Sequence, residues 1–127
     1  MIRYSYQKDP AGNFYPIIPI SVIHKEITLK LDALIDSGAT ISIFKPEIAI
    51  SLNTPIRMGK SVYLGGVGGR IKGYLHKFTV EIANKSFSVP VVFSYEYTIS
   101  INLSGRQAIF KNFQIIFDEK NLRVTLK

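Results

Sequence analysis

The sequence contains no cysteine among its 127 residues, and it contains only two histidines, His24 and His76. The absence of cysteine excludes disulfides, thiol catalysis and thiolate metal sites, and it suits a reducing compartment. Neither histidine has a neighbour at the spacing of a metal-ligand pair, so both read as ordinary strand residues. The sequence therefore predicts no metal and no cofactor.

Long apolar runs are also missing. No stretch approaches the ~20 apolar residues that a membrane span needs, and the first ten residues, MIRYSYQKDP, lack the apolar core of a secretion signal. We therefore expect a soluble cytoplasmic protein without a membrane partner.

Acidic residues are few, with 9 Asp and Glu against 16 Lys and Arg, which gives a net charge of +7. Such a balance can indicate a nucleic-acid partner. Here the basic residues are spread singly along the chain, and the interleaving of aromatic and basic residues that is typical of nucleic-acid readout modules is not seen. We expect no nucleic-acid partner.

The remaining composition, 46% apolar and 20% charged, is that of one globular domain. Runs rich in β-branched residues predict strands, for example at 15–23, 26–35 and 85–93. Two segments predict short helices, KPEIAISL at 45–52, with Pro46 at the first helical position, and GRQAIFKNF at 105–113. Many short strands with small helices favour a β-barrel or sandwich.

One carboxylate, Asp36, ends an apolar run in the stretch LDALIDSGATISIF. A lone ionised carboxylate in apolar surroundings is costly unless polar groups compensate it. Ser37, Gly38 and Ala39 predict a tight turn that supplies a hydroxyl, a close backbone approach and little bulk. Because aspartate-serine-glycine also occurs in ordinary turns, these residues alone do not separate a catalytic loop from a strand-ending turn.

Three segments, in order, resemble retropepsin-like aspartic proteases of clan AA, the retroviral type. ALIDSGA at 33–39 resembles the catalytic loop, YLGGVGGRIK at 63–72 resembles the flap, and INLSGRQ at 101–107 resembles the pocket strand with the glycine-arginine start of the next helix. The end of the chain, FKNFQIIFDEKNLRVTLK, is similar to the end of a pepsin lobe.

The resemblance implies an all-β closed barrel with one or two short helices and a β-hairpin flap. It covers the chain from Tyr15 onward. We therefore expect a single protease domain at 15–127, preceded by a partly ordered N-terminal segment at 1–14.

The resemblance also implies roles for individual residues. Asp36, Ser37 and Gly38 would be catalytic, and Gly105 and Arg106 structural. The backbone N–H of Val67 would hold a water against substrate carbonyls. The implied substrate contacts are Leu34, Gly38, Ala39, Thr40, Gly65, Gly66, Val67, Ile101 and Leu103. The implied flap consists of Tyr63, Leu64, Gly65, Gly66, Val67, Gly68 and Gly69. For Leu34, Ile101 and Leu103, plain core packing is an equally good interpretation.

Two positions depart from the pattern. Thr40 stands where retroviral proteases usually carry an aspartate that pairs with the arginine of the glycine-arginine motif, so Arg106 must find another partner. Ser104 replaces an apolar residue before Gly105, which puts a hydroxyl in a position expected to be buried.

Peptide hydrolysis by carboxylates needs an acid and a base, and two carboxylates about 3 Å apart share one proton. The other aspartates, Asp9, Asp32 and Asp118, are not followed by Ser/Thr-Gly. The second carboxylate is therefore expected from another copy, in a C2 homodimer that cleaves peptides or unfolded proteins. The alternative is a non-catalytic dimeric peptide-binding or interaction module with the same fold.

Overall fold

A computed structural model describes residues 1–66 and 68–127. The described elements, in chain order, are β1 (Ile2–Ser5), β2 (Gln7–Lys8), β3 (Phe14–Tyr15), β4 (Ile17–His24), β5 (Ile27–Ile35), β6 (Ser42–Phe44), α1 (Pro46–Ser51), a 3₁₀ helix (Ile56–Met58), β7 (Lys60–Gly66), β8 (Gly69–Ile82), β9 (Lys85–Phe93), β10 (Asn102–Ser104), a second 3₁₀ helix (Phe110–Asn112), β11 (Ile115–Asp118) and β12 (Arg123–Leu126).

The main sheet closes on itself. Its strands follow the order β4, β5, β10, β6, β9, β8, and β8 pairs back with β4 through residues 79–81. β7 extends beyond this ring as the partner of β8. The chain is thus all-β, as the sequence predicts.

The ring forms because apolar residues alternate along its strands. In β4, Ile18, Ile20 and Val22 are buried, while the residues between them are more exposed. The same period of two places the inward side of β8 in the core. Burying each such side chain stabilises the fold by ~1.5–3 kcal/mol. Phe44 and Phe93 are the largest of the fully buried side chains.

A second, three-stranded sheet joins the two ends of the chain. β12 lies in its centre, with β1 antiparallel on one side and β11 on the other. The N-terminal residues 2–5 are therefore paired with the C-terminal strand. Tyr6, which follows β1, is buried, and its hydroxyl donates to Glu119 at 2.9 Å.

Of the two predicted helices, one forms and the other does not. The first forms, as α1, with Pro46 at its start. The prediction of a helix across 105–113 is wrong, since only the short 3₁₀ helix Phe110–Asn112 forms there. Ala108 has a left-handed backbone with φ of 66°, which breaks any helix running through it. In the described part of the chain, no helix has the length and apolar character to span a membrane.

Candidate active site

Asp36 lies in a tight loop directly after β5. Its Oδ1 accepts a hydrogen bond from the Gly38 N–H at 2.9 Å, and its carbonyl accepts one from the Ala39 N–H at 3.2 Å. A Cβ at Gly38 would lie 3.3 Å from Asp36 Oδ1, so a larger residue would crowd the carboxylate. Within the single chain Asp36 is half-buried, less than its apolar neighbours suggest, because the loop opens onto a cleft. Ser37 is exposed in the same turn.

The end of β10 and the residues directly after it hold this loop in place through backbone hydrogen bonds. The Asp36 N–H donates to the Ser104 carbonyl at 3.0 Å, and the Arg106 N–H donates to the Ala39 carbonyl at 2.8 Å. Gly105 fits here because it has no side chain: a Cβ would lie 2.4 Å from the carbonyl carbon of Ile41. A residue at position 105 other than glycine would push the two segments apart.

A cleft of about 480 Å³ opens above the loop. Its lining consists of Asp36, Gly38, Ala39, Thr40, Ile41, Ile43, Tyr63, Leu64, Gly65, Gly66 and Leu103. The fold therefore brings together most of the residues that the sequence singles out. Leu34, Ser37, Ile101, Gly68 and Gly69 do not line this cleft in the single chain, and Val67 lies outside the described residues.

Two apolar side chains of neighbouring strands, Leu103 and Ile43, line one wall of the cleft. Leu103 in β10 is in register with Leu34 in β5 on one side and with Ile43 in β6 on the other. Ile43 and Ile41 were missed by the sequence reasoning. The sequence signal for them is the alternation Ile41-Ser42-Ile43, which predicts that the two isoleucines share one face of a strand. Ile101 instead lines a separate cavity.

The opposite wall is the end of a β-hairpin, here called the glycine hairpin, residues 60–75 of β7 and β8. Gly66 pairs with Gly69 at its tip, and both Gly68 and Gly69 have positive φ, 99° and 120°. A Cβ at Gly65 or Gly66 would meet nothing within 4 Å, so these glycines leave open space over the cleft.

The loop after β9 holds the middle of the β8 arm of this hairpin, where Lys72 pairs with Tyr63. Ser94 Oγ donates to the Lys72 carbonyl at 2.6 Å, and the Lys72 N–H donates to Glu96 Oε2 at 2.7 Å. The Glu96 N–H in turn donates to Ser94 Oγ at 3.1 Å. The side chains of Ser94 and Glu96 thus bond the backbone of β8 at Lys72, beyond Phe93, where β9 ends.

Tyr97 is another residue that the sequence did not single out. Its side chain is buried, and its hydroxyl donates to the Ile101 carbonyl at 2.6 Å. Burial, with the negative charge of Asp36 as a smaller contribution, raises the pKa of Tyr97 to about 12. The hydrogen bond from Tyr97 holds the segment that leads into β10.

No cluster of three or more His, Cys, Asp or Glu side chains that could hold a metal occurs in the residues described. The chemistry that the site offers is that of one carboxylate in a glycine-turn loop, facing an apolar cleft beneath a hairpin. This combination on a closed β ring defines an aspartic-protease type of domain.

Comparison with known families agrees with this class. The family described as retroviral aspartyl protease matches residues 14–115, which is most of the chain. The chain belongs to this family, and membership supports aspartic-protease chemistry in general. A search of curated proteins gave no match.

Proposed function

We propose that the protein is an aspartic endopeptidase that works as a C2 homodimer, with a water activated between two Asp36 carboxylates, one from each subunit. One observation carries this proposal. In the described residues, the cleft that faces the glycine hairpin is lined by one carboxylate only, that of Asp36.

Single-chain chemistry would need a second carboxylate at the cleft. Asp32 lines a different cavity, and Asp118 is paired with Arg123 at 3.2 Å. Asp9 Oδ1 is engaged in its own turn, where it accepts from the Asn13 N–H at 2.8 Å. A second copy related by a twofold axis supplies the missing group by placing two identical loops face to face.

The two carboxylates divide the catalytic work. At about 3 Å apart they cannot both ionise, so one keeps a proton and acts as acid while the other acts as base toward the water. The hydrogen bond from the Gly38 N–H helps to fix the orientation of each carboxylate. The base takes a proton from the water as the water oxygen attacks the substrate carbonyl carbon, and the acid gives its proton to the leaving nitrogen as the C–N bond of the tetrahedral intermediate breaks.

Substrate would bind as an extended peptide between the loop and the glycine hairpin. The backbones of Gly38 and Gly65, which line the cleft, would pair with the peptide, and Leu103 and Ile43 would provide an apolar wall for its side chains. The hairpin would act as a flap that closes over the peptide and excludes solvent.

The test compares wild type with Asp36→Asn on apolar peptides and an unfolded protein at mildly acidic pH. Asp32→Asn is the matched control, because Asp32 is an exposed aspartate outside the cleft. Cleavage should fall to background in Asp36→Asn and persist in Asp32→Asn. Light scattering should give about twice the chain mass of 14.3 kDa.

A strict monomer that cleaves peptides, or an Asp36→Asn variant that retains full cleavage, would refute the proposal. If wild type cleaves nothing but a statine-type peptide still raises its melting temperature, the non-catalytic peptide-binding module becomes the better description.

A further inference from the structure

A second cavity, of about 340 Å³, adjoins the cleft. It is lined by Thr40, Arg106, Gln107, Phe110 and Lys111. Thr40 also lines the cleft above Asp36, so the two cavities are neighbours on the two sides of one residue. A peptide that lies along the cleft would reach this cavity, here called the basic cavity, with a residue outside the scissile pair.

The backbone of the basic cavity is rigidly attached to the catalytic loop. The Arg106 N–H donates to the Ala39 carbonyl and the Gln107 N–H to the Thr40 carbonyl, both at 2.8 Å. The Phe110 N–H donates to the Arg106 carbonyl at 3.1 Å, which closes the turn. The side chains that line the cavity therefore start from points fixed relative to Asp36.

Both cations of the cavity lack an acidic partner. Across residues 1–66 and 68–127 the ion pair found joins Arg123 to Asp118, and neither Arg106 nor Lys111 has a carboxylate oxygen within 4.0 Å. The cavity lining includes no acidic residue. The side chains of Arg106 and Lys111 are exposed, so their charges are accessible to solvent or to a ligand.

We infer that the basic cavity is a subsite for a carboxylate of the peptide substrate, and that Arg106 and Lys111 make the enzyme prefer acidic substrates. This inference rests on the proposed function. Arginine binds a carboxylate through two parallel N–H donors, lysine adds a second positive charge, and Phe110 provides an apolar wall for the methylene groups of a glutamate. The net charge of +7 would further attract an acidic chain.

The test uses a neutral peptide that wild type cleaves, into which glutamate or glutamine is placed at each position in turn. At one position, away from the scissile bond, glutamate should raise kcat/KM about tenfold over glutamine, mainly through KM. The same peptides with a free or an amidated C-terminus distinguish a side-chain carboxylate from a terminal one.

The variants Arg106→Gln and Lys111→Gln should each bring this glutamate-to-glutamine ratio toward one, whatever their absolute rates. Lys120→Gln, which removes an exposed charge in the turn after β11, is the matched control and should keep the ratio. Because Arg106 lies next to the catalytic loop, Lys111→Gln decides the matter if Arg106→Gln fails to fold.

The inference is overturned if no position prefers glutamate, or if Lys111→Gln keeps the full ratio. Failure of the proposed function looks different, since no peptide of either series would be cleaved. In that case fluorescence anisotropy of the labelled glutamate and glutamine peptides, with wild type and Lys111→Gln, measures the same ratio as a binding preference.

Discussion

Two buried serines near the catalytic loop should respond in opposite ways to removal of their hydroxyl groups. Ser104 and Ser42 are both fully buried. Ser104 Oγ has no hydrogen-bond partner among the described residues, whereas Ser42 Oγ accepts the Gly105 N–H at 3.0 Å. We predict that Ser104→Ala stabilises the protein and that Ser42→Ala destabilises it.

The magnitudes follow from what each change leaves behind. A buried hydroxyl without a partner costs ~1–3 kcal/mol, and alanine removes that cost while losing only the packing of one oxygen atom. Ser104→Ala should therefore gain about 1 kcal/mol in the free energy of unfolding. Ser42→Ala leaves the buried Gly105 N–H unpaired, and should lose ~1–3 kcal/mol.

The assay is urea unfolding of wild type and both variants at one protein concentration, with melting temperatures as a second measure. For a chain of this size, 1 kcal/mol corresponds to roughly 3–5 °C. The two variants differ from wild type by the same atom in the same type of site, so each is the control for the other. A Ser104→Ala variant that loses as much stability as Ser42→Ala would refute the reasoning.

Two further predictions concern the loop after β9. Glu96→Ala should speed hydrogen exchange of the Lys72 backbone amide and lower kcat/KM, because this N–H in the β8 arm of the glycine hairpin loses its acceptor. Glu96→Gln keeps an oxygen acceptor and should restore most of the protection, whereas Glu81→Ala, a control in β8 like Lys72, should have no effect. Unchanged exchange in Glu96→Ala would contradict the role given to this hydrogen bond. Tyr97 has a folded-state pKa raised to about 12, so the folded state holds this proton more tightly than the unfolded chain; the resulting stability is present below about pH 10 and is lost as the pH rises toward 12. Urea unfolding at about pH 9 and about pH 11.5 should show a smaller loss in Tyr97→Phe than in wild type, and equal losses would contradict this assignment.

Local patterns predicted β4, β5 and β9 well, because a period of two over a half-buried surface depends only on neighbouring residues; β1, β2 and β6 were not predicted. The same is true of the glycine hairpin, whose tip needs positive φ at Gly68 and Gly69. The helix predicted at 105–113 does not form, because Ala108 has a left-handed backbone that turns the chain out of a helix. The Arg106 and Gln107 N–H groups donate to the Ala39 and Thr40 carbonyls. These contacts join residues distant in sequence, so no local pattern reveals them.

The residues of the candidate site also fall into those that the sequence reveals and those that it does not. Asp36, Gly38 and the hairpin glycines are recognisable by residue type, and Ile41 and Ile43 carried a usable alternation. The contacts of Ser94 and Glu96 with Lys72 are not recognisable, because a serine and a glutamate after a strand are common on any surface. Only the pairing of β8 with β9 places their side chains beside an unpaired stretch of backbone.

The geometry of the catalytic loop is a property of the closed ring and not of the aspartate-serine-glycine turn alone. β10 lies between β5, to which it is parallel, and β6, to which it is antiparallel, so it joins strands on both sides of the loop. The carbonyl of Ser104, the last residue of β10, accepts the hydrogen bond from the Asp36 N–H, and Gly105 permits the close contact with the Ile41 backbone. Because β10 comes about 70 residues after β5, this pairing needs most of the chain to be in place. A partly folded chain therefore has the turn sequence but not the hydrogen bond to Ser104, and protection of the Asp36 amide from hydrogen exchange should return during refolding only as β10 docks.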